Sequence, residues 1–271
     1  MISLDWKERL IKDTDDFVER KLPAGDFDID IVYNAYPQRI DNKVPLAVIT
    51  LVGKTLASRL AKKADLYFPF YDYLVSHKGE YGITILSYIL AKAIKKNTGL
   101  FLDYLDKLLT SCRDQKASNL LIDKAIFPLM KNNLYDHLDL LSRWIKKDNP
   151  CLNNSLQKLL AKLISTDNRL IQPIFHKLES SWLYATPNMV KLNSRFLKDI
   201  SKYDLKFYLN IYRNYQHTRN PVFADILCGG IVVHDKIISE LAGAWAQSGN
   251  IKLKKIGTHA IKILKKLKDN G

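Results

Sequence analysis

Trp144-Ile-Lys-Lys-Asp-Asn149-Pro-Cys-Leu152 decides the fold, because its scheme returns at Tyr215-Gln-His-Thr-Arg-Asn220-Pro-Val-Phe223 and at Trp245-Ala-Gln-Ser-Gly-Asn250-Ile-Lys-Leu253. In each copy an aromatic residue closes one helix, an Asn stands ready to cap the next, and an apolar side chain falls in the first turn. Asn accepts hydrogen bonds from the unpaired N–H groups of a helix start, and proline suits the first helical position, where no N–H is needed. Thr186-Pro187 is a further junction of this kind. Outward from these junctions the apolar positions recur at threes and fours, as in Leu152, Leu156, Leu159, Leu160 and Leu163, or Leu253, Ile256, Ala260, Ile263, Leu264 and Leu267. Helix pairs then begin near Tyr67, Leu100, Leu134, Asn168, Leu205 and Lys236, at spacings of 33, 34, 34, 37 and 31 residues. Such a period marks a stack of helix pairs, each with more apolar surface than it can bury within itself.

The expectation is therefore an all-α solenoid of about six helix pairs over residues 66–271, preceded by a helical cap over residues 1–65, all in one domain. The cap reads as a helix near 4–21, an extended acidic connection and a helix near 45–63. The alternation Asp26-Phe-Asp-Ile-Asp-Ile31 supplies the connection; it is too short for a sheet and has no hairpin partner. It is not a calcium loop, because Ile31 and Pro37 stand where such a loop needs its Gly and distal Glu.

The 271 residues, 47% of them hydrophobic, suffice for a sizeable core. Forty-two Lys and Arg against 28 Asp and Glu leave a net charge of +14, which points to a polyanionic partner. The first 30 residues hold five basic and nine acidic side chains, so the cationic excess belongs to the rest. It is densest at the end, where Lys252, Lys254, Lys255, Lys262, Lys265, Lys266 and Lys268 face only Asp269. In a stack of helix pairs the second helices line the concave surface, and Lys92, Lys95, Lys116, Lys124, Lys158, Lys162, Lys191, Arg195 and Lys198 fall there. A basic stripe of that kind suits a phosphate backbone, although lysines also occupy the solvent side of any helix. Arg219, beside the cap Asn220, is a further cation placed for a phosphate.

Other chemistries are excluded or weak. Cys112, Cys151 and Cys228 lie 39 and 77 residues apart and form neither a zinc motif nor a disulfide framework, which fits a reducing compartment. The opening MISLDWKERL is charged where a secretory leader is apolar, and no apolar run is long enough for a bilayer, so a cytoplasmic chain without membrane contact is expected. GxSxG, HExxH, GxxxxGK[ST] and GxGxxG are absent, and His77, His137, His176, His217, His234 and His259 are scattered singly, so neither metal nor cofactor is expected. Asp103 with Asp106 and Asp136 with Asp139 sit on first helices, facing solvent. Trp144, Tyr215 and Trp245 follow the repeat period and read as packing anchors rather than base-stacking platforms.

Arg143-Trp-Ile-Lys-Lys-Asp-Asn-Pro-Cys-Leu-Asn-Asn154, together with Ala117-Ser-Asn-Leu-Leu-Ile-Asp123 one pair earlier, resembles the core of the bacterial HEAT-like DNA alkylpurine glycosylases of the AlkD type. The resemblance extends over residues 67–268. It implies a right-handed superhelical HEAT-like solenoid, monomeric, that binds duplex or damaged DNA on a basic concave face. In that family a Trp and an Asp four residues apart, with an Arg near the start of the next second helix, surround the damaged nucleotide. The carboxylate stabilises positive charge on the deoxyribose as the N-glycosidic bond breaks. By motif, Asp123 takes the carboxylate position, Asn119 that of the Trp and Asn154 that of the Arg. An amide offers neither an aromatic face nor a guanidinium fork, so base excision is altered or absent here.

The set the resemblance and the charge pattern jointly assign is Asp123 as the catalytic carboxylate, with Asn119, Lys124, Asn154, Lys158, Lys162, Lys191, Arg195, Arg219, Lys254 and Lys255 on DNA. Asp123 also reads as a capping or inter-repeat hydrogen-bonding residue. Two other partners fit the same charge: an acidic protein or peptide held by a HEAT-type scaffold, and RNA.

Overall fold

The computed structural model describes residues 6–22, 27–34, 36 and 39–269. These are helical almost throughout. Among them there is no β-strand, only an isolated bridge between Ile40 and Lys43. The chain divides into two compact units, Met1–Leu129 and Met130–Gly271.

The first unit holds α1 (Trp6–Val18), α2 (Asp30–Asn34), α3 (Leu46–Leu60), α4 (Phe68–His77), α5 (Gly79–Ala93), α6 (Thr98–Ser111) and α7 (Gln115–Leu121). α7 runs on through a π-helical turn, Ile122–Ile126, into α8 (Phe127–Asn132), within which the division between the units falls. α1 packs on α3, α3 on α5, and α5 on α7 and the π turn. Their seam is built from Val48, Ile49, Val52 and Leu56, then Ile85, Leu86, Ile89 and Leu90, then Leu121, Ile122, Ala125 and Ile126, all buried. The π turn has a cause in the sequence. Pro128 lacks an N–H and its ring would strike the Lys124 carbonyl in a regular helix, and the wider turn, closed by Phe127 N–H to Ile122 O, avoids that clash.

Where an extended connection was expected around residues 26–31, the chain instead turns at Phe27–Ile29 and forms α2 from Asp30; Asp26 and Pro37 lie outside the described residues. Alternating Asp and Ile mimic a strand, but Ile29, Val32 and Tyr33 are all buried, and the acidic partners fall on the other side. Lys78 Nζ reaches Asp28 at 3.4 Å and Asp30 at 2.7 Å, and Arg59 grips Asp15 with two 2.6 Å bonds. The acidic N-terminal segment thus spends part of its charge inside its own unit.

The second unit holds α9 (Leu138–Ile145), α10 (Pro150–Thr166), α11 (Ile171–Glu179), α12 (Pro187–Tyr203), α13 (Leu205–Asn214), α14 (Pro221–Gly229), α15 (Lys236–Ala246) and α16 (Ile251–Asp269). α10, α12, α14 and α16 pack on one another in succession, while α9 packs on α11 and α13 on α15. The expected caps are in place. Asn149 Oδ1 accepts from Cys151 N–H (2.9 Å) and Leu152 N–H (3.2 Å), and Asn220 from Val222 (2.8 Å) and Phe223 (3.4 Å). Asn250 does the same with Lys252 and Leu253, and Thr186 with Met189. Trp144, Trp182 and Trp245 are buried, and the Trp245 indole N–H donates to Thr218 O at 3.1 Å, which leaves no face for a base. Trp182 packs on Tyr215 and Phe223 at 5.3 and 5.8 Å between centroids, and its N–H donates to Asn193 Oδ1.

Candidate nucleic-acid interface

In the first unit, α3, α5 and the π turn share an outer face. Tyr88 lies at its centre with Lys54 Nζ and Lys124 Nζ each 5.7 Å from the ring centroid, an arrangement in which the ring quadrupole attracts both cations. Lys92 Nζ donates to Ser58 Oγ at 2.8 Å on the same helices. Asp123 opens out beside this group, its Oδ2 3.6 Å from Lys124 Nζ and its side chain 43% exposed. Asn119, one turn earlier, accepts from Gln115 Nε2 at 3.1 Å. Lys116 is exposed on the first turn of α7, and Lys95 falls in the turn after α5 rather than on it.

In the second unit the four capped starts give a common register. Five residues beyond each cap stand Asn154, Lys191, Asp225 and Lys255, all exposed. Nine beyond, Lys158, Arg195 and His259 are exposed as well. Lys162 and Lys198 extend the same face, and α10 carries no carboxylate between Pro150 and Thr166. The stripe is interrupted at α14, whose contribution is Asp225. Lys254 follows Asn250 by four residues, as Asn153 follows Asn149. That side of α10 faces α12, whereas Lys254 and Lys255 are both exposed on α16.

α10 and α12 meet in a small pocket of about 110 Å³ lined by Pro150, Asn153, Asn154, Gln157, Asn188, Lys191, Leu192 and Arg195. Asn154, Lys191 and Arg195 of the expected set are thereby brought together. Arg195 donates to Gln157 Oε1 across the gap. Asp148, held at a positive φ of 50°, accepts from Thr186 Oγ1 at 2.7 Å and Asn188 Nδ2 at 3.0 Å, which pins the start of α12 beside that of α10. Asn153 was not foreseen. Its side chain is buried on the pocket wall, and neither Nδ2 nor Oδ1 has a hydrogen-bond partner. The available signal was an amide where the same register holds Val190 and Ala224 on the two helices that follow, and a lysine only at the exposed Lys254.

Arg219 is exposed in the loop before α14 and lines a separate cavity of about 370 Å³ with His217, Trp245 and Gln247. Among the described residues, no group of three or more His, Cys, Asp or Glu side chains is placed to hold a metal ion, and no helix is long and apolar enough to cross a membrane. No protein-family model, curated protein or solved structure matches this chain.

Proposed function

We propose that this chain binds duplex DNA along the exposed face of α10, α12 and α16, as a HEAT-like helical repeat protein whose pairs form a right-handed superhelical solenoid. One observation carries the reading: Lys158, Lys162, Lys191, Arg195 and Lys198 stand on two adjacent, firmly capped helices, with Asp199 the only carboxylate on either helix. Fixed cations at helical spacing neutralise successive phosphates and release their counterions, so binding is expected to be steeply salt-dependent and largely indifferent to base sequence. Tyr88 between Lys54 and Lys124 offers the first unit a face of the same sign.

Base excision in this reading rests on Asp123, whose neighbour Lys124 is itself a phosphate-binding cation. The half-exposed carboxylate lacks the water-excluded surroundings in which electrostatic stabilisation is strongest. The proposed activity is therefore binding, with excision weak or absent.

Fluorescence anisotropy with undamaged, abasic and alkylated duplexes at two salt concentrations tests this, with base release followed in the same samples. Each of Lys158→Glu, Lys191→Glu and Lys255→Glu is expected to weaken duplex binding, and each lost phosphate contact to lower the slope of log K against log salt by about one. Affinity unchanged in all three variants would sink the proposal, and absence of duplex binding at low salt alongside capture of an acidic peptide would replace it with the scaffold reading. Base release abolished by Asp123→Asn would add catalysis.

A further inference from the structure

A buried amide with no partner is an anomaly, because a fold discards water from both its donor and its acceptor and gains nothing in return. Asn153 is such a group, and it does not stand alone. It lines the pocket whose other walls bear Lys191, Arg195, Asn154, Gln157 and Asn188, and no carboxylate lines it. The space of about 110 Å³ opens to solvent and admits one tetrahedral oxyanion. The positive ends of two helix dipoles, those of the 17-residue α10 and α12, border it. Asn149 and Thr186 already occupy the N–H groups of Cys151, Leu152 and Met189, so recognition there falls to side chains.

We infer that this pocket holds one phosphate group, with Lys191 and Arg195 supplying the charge and the Asn153 amide, itself shut off from solvent, turning its Nδ2 into the space as the donor. The inference rests on the duplex-binding reading in taking a backbone phosphodiester as the occupant; a phosphomonoester carries the same chemistry and can in addition donate its proton to Asn153 Oδ1. The guanidinium of Arg195, now on Gln157, has the fork geometry that two phosphate oxygens accept. The pocket would fix the register of the backbone against α10 and α12, while Lys158 and Lys162 follow the strand beyond it.

The test uses the full chain and three probes: inorganic phosphate, dimethyl phosphate and a short duplex. Thermal unfolding is followed in phosphate, and separately in dimethyl phosphate, against chloride at matched ionic strength, for the wild type, Asn153→Leu and Arg195→Gln. Phosphate steadies most folds non-specifically, and that part is common to all three proteins. The specific part is a saturable rise in Tm seen in the wild type and lost in both variants. Asn153→Leu, which removes the unpaired amide, is also expected to melt several degrees higher than the wild type in chloride while binding the duplex several-fold more weakly at unchanged net charge. Loss of the dimethyl phosphate and duplex signals in Asn153→Leu identifies a backbone phosphate; loss of the inorganic phosphate signal alone identifies a monoester. Equal phosphate responses in the wild type and both variants, with duplex affinity unmoved by Asn153→Leu, overturn the inference. Lys158→Glu and Lys162→Glu lie outside the pocket, so indifference of duplex binding to these two refutes the DNA reading while leaving the phosphate measurement to judge the pocket.

Discussion

Asn149 closes a helix start at which Pro150 has no N–H to offer and the next two backbone donors, on Cys151 and Leu152, both turn to its side-chain Oδ1. Because Asn149 is buried, water cannot replace it, and Asn149→Ala is expected to lower the unfolding free energy by about 1 kcal/mol, with Asn149→Asp retaining most of the stability. Urea denaturation checks this, and a midpoint unmoved by the Ala substitution would refute the assigned cap. At this scale sequence and structure agree where a residue's role is local. An Asn before a Pro announces a cap because both groups it serves lie within three residues. Asn153, four residues further, was not legible, because what makes it unusual is its lack of a partner on α12, and sequence order says nothing of that. Asp123 could be placed on its helix by motif, but its exposure and its contact with Lys124 follow from the packing of the π turn against α5.

α16 closes on α15 through Gly257. A Cβ there would stand 2.2 Å from Ala246 N and 2.7 Å from the Trp245 carbonyl carbon, both backbone atoms that cannot step aside. Gly257→Ala is therefore expected to push the two helices apart and destabilise the second unit by about 1–3 kcal/mol, despite the better helix propensity of Ala. Thermal unfolding by circular dichroism measures it; an equal or higher Tm would show that the helices are not in such close contact. The elements were legible to the extent that their boundaries carry chemistry. Expected pair starts near Asn168, Leu205 and Lys236 coincide with a 3-10 turn at Asn168–Leu170, with α13 and with α15, because capping residues Asp167, Asp204 and Asp235 precede them. α2 was missed because period-two alternation is shared by a strand and by a short helix with one acidic side. The π turn was missed because its cause, Pro128, also reads as a plain helix end.

For the molecule as a whole, the pairing of Asp15 with Arg59 and of Asp28 and Asp30 with Lys78 uses acidic charge internally and leaves the cationic excess on the later helices. Charge at the other end of the pH scale governs stability. Burial raises the phenol ionisation of Tyr33, Tyr71, Tyr104, Tyr208, Tyr212 and Tyr215 above the ordinary value of 10.0, and hydrogen bonds to carboxylates add to this at Tyr104 (to Asp72, 2.8 Å) and Tyr215 (to Glu179, 2.5 Å). The folded chain thus holds these protons more tightly than the unfolded chain. Below pH 10 both states keep them and the stability they contribute is complete. Above it the unfolded state releases protons that the folded state retains, and the contribution is lost progressively as pH climbs towards the raised values. Alkaline titration followed by tyrosinate absorbance should accordingly show a late cooperative phase from these six phenols, coinciding with loss of the helical circular dichroism signal. Ionisation of these six phenols near pH 10, with the helices intact, would mean that they are not shielded as described.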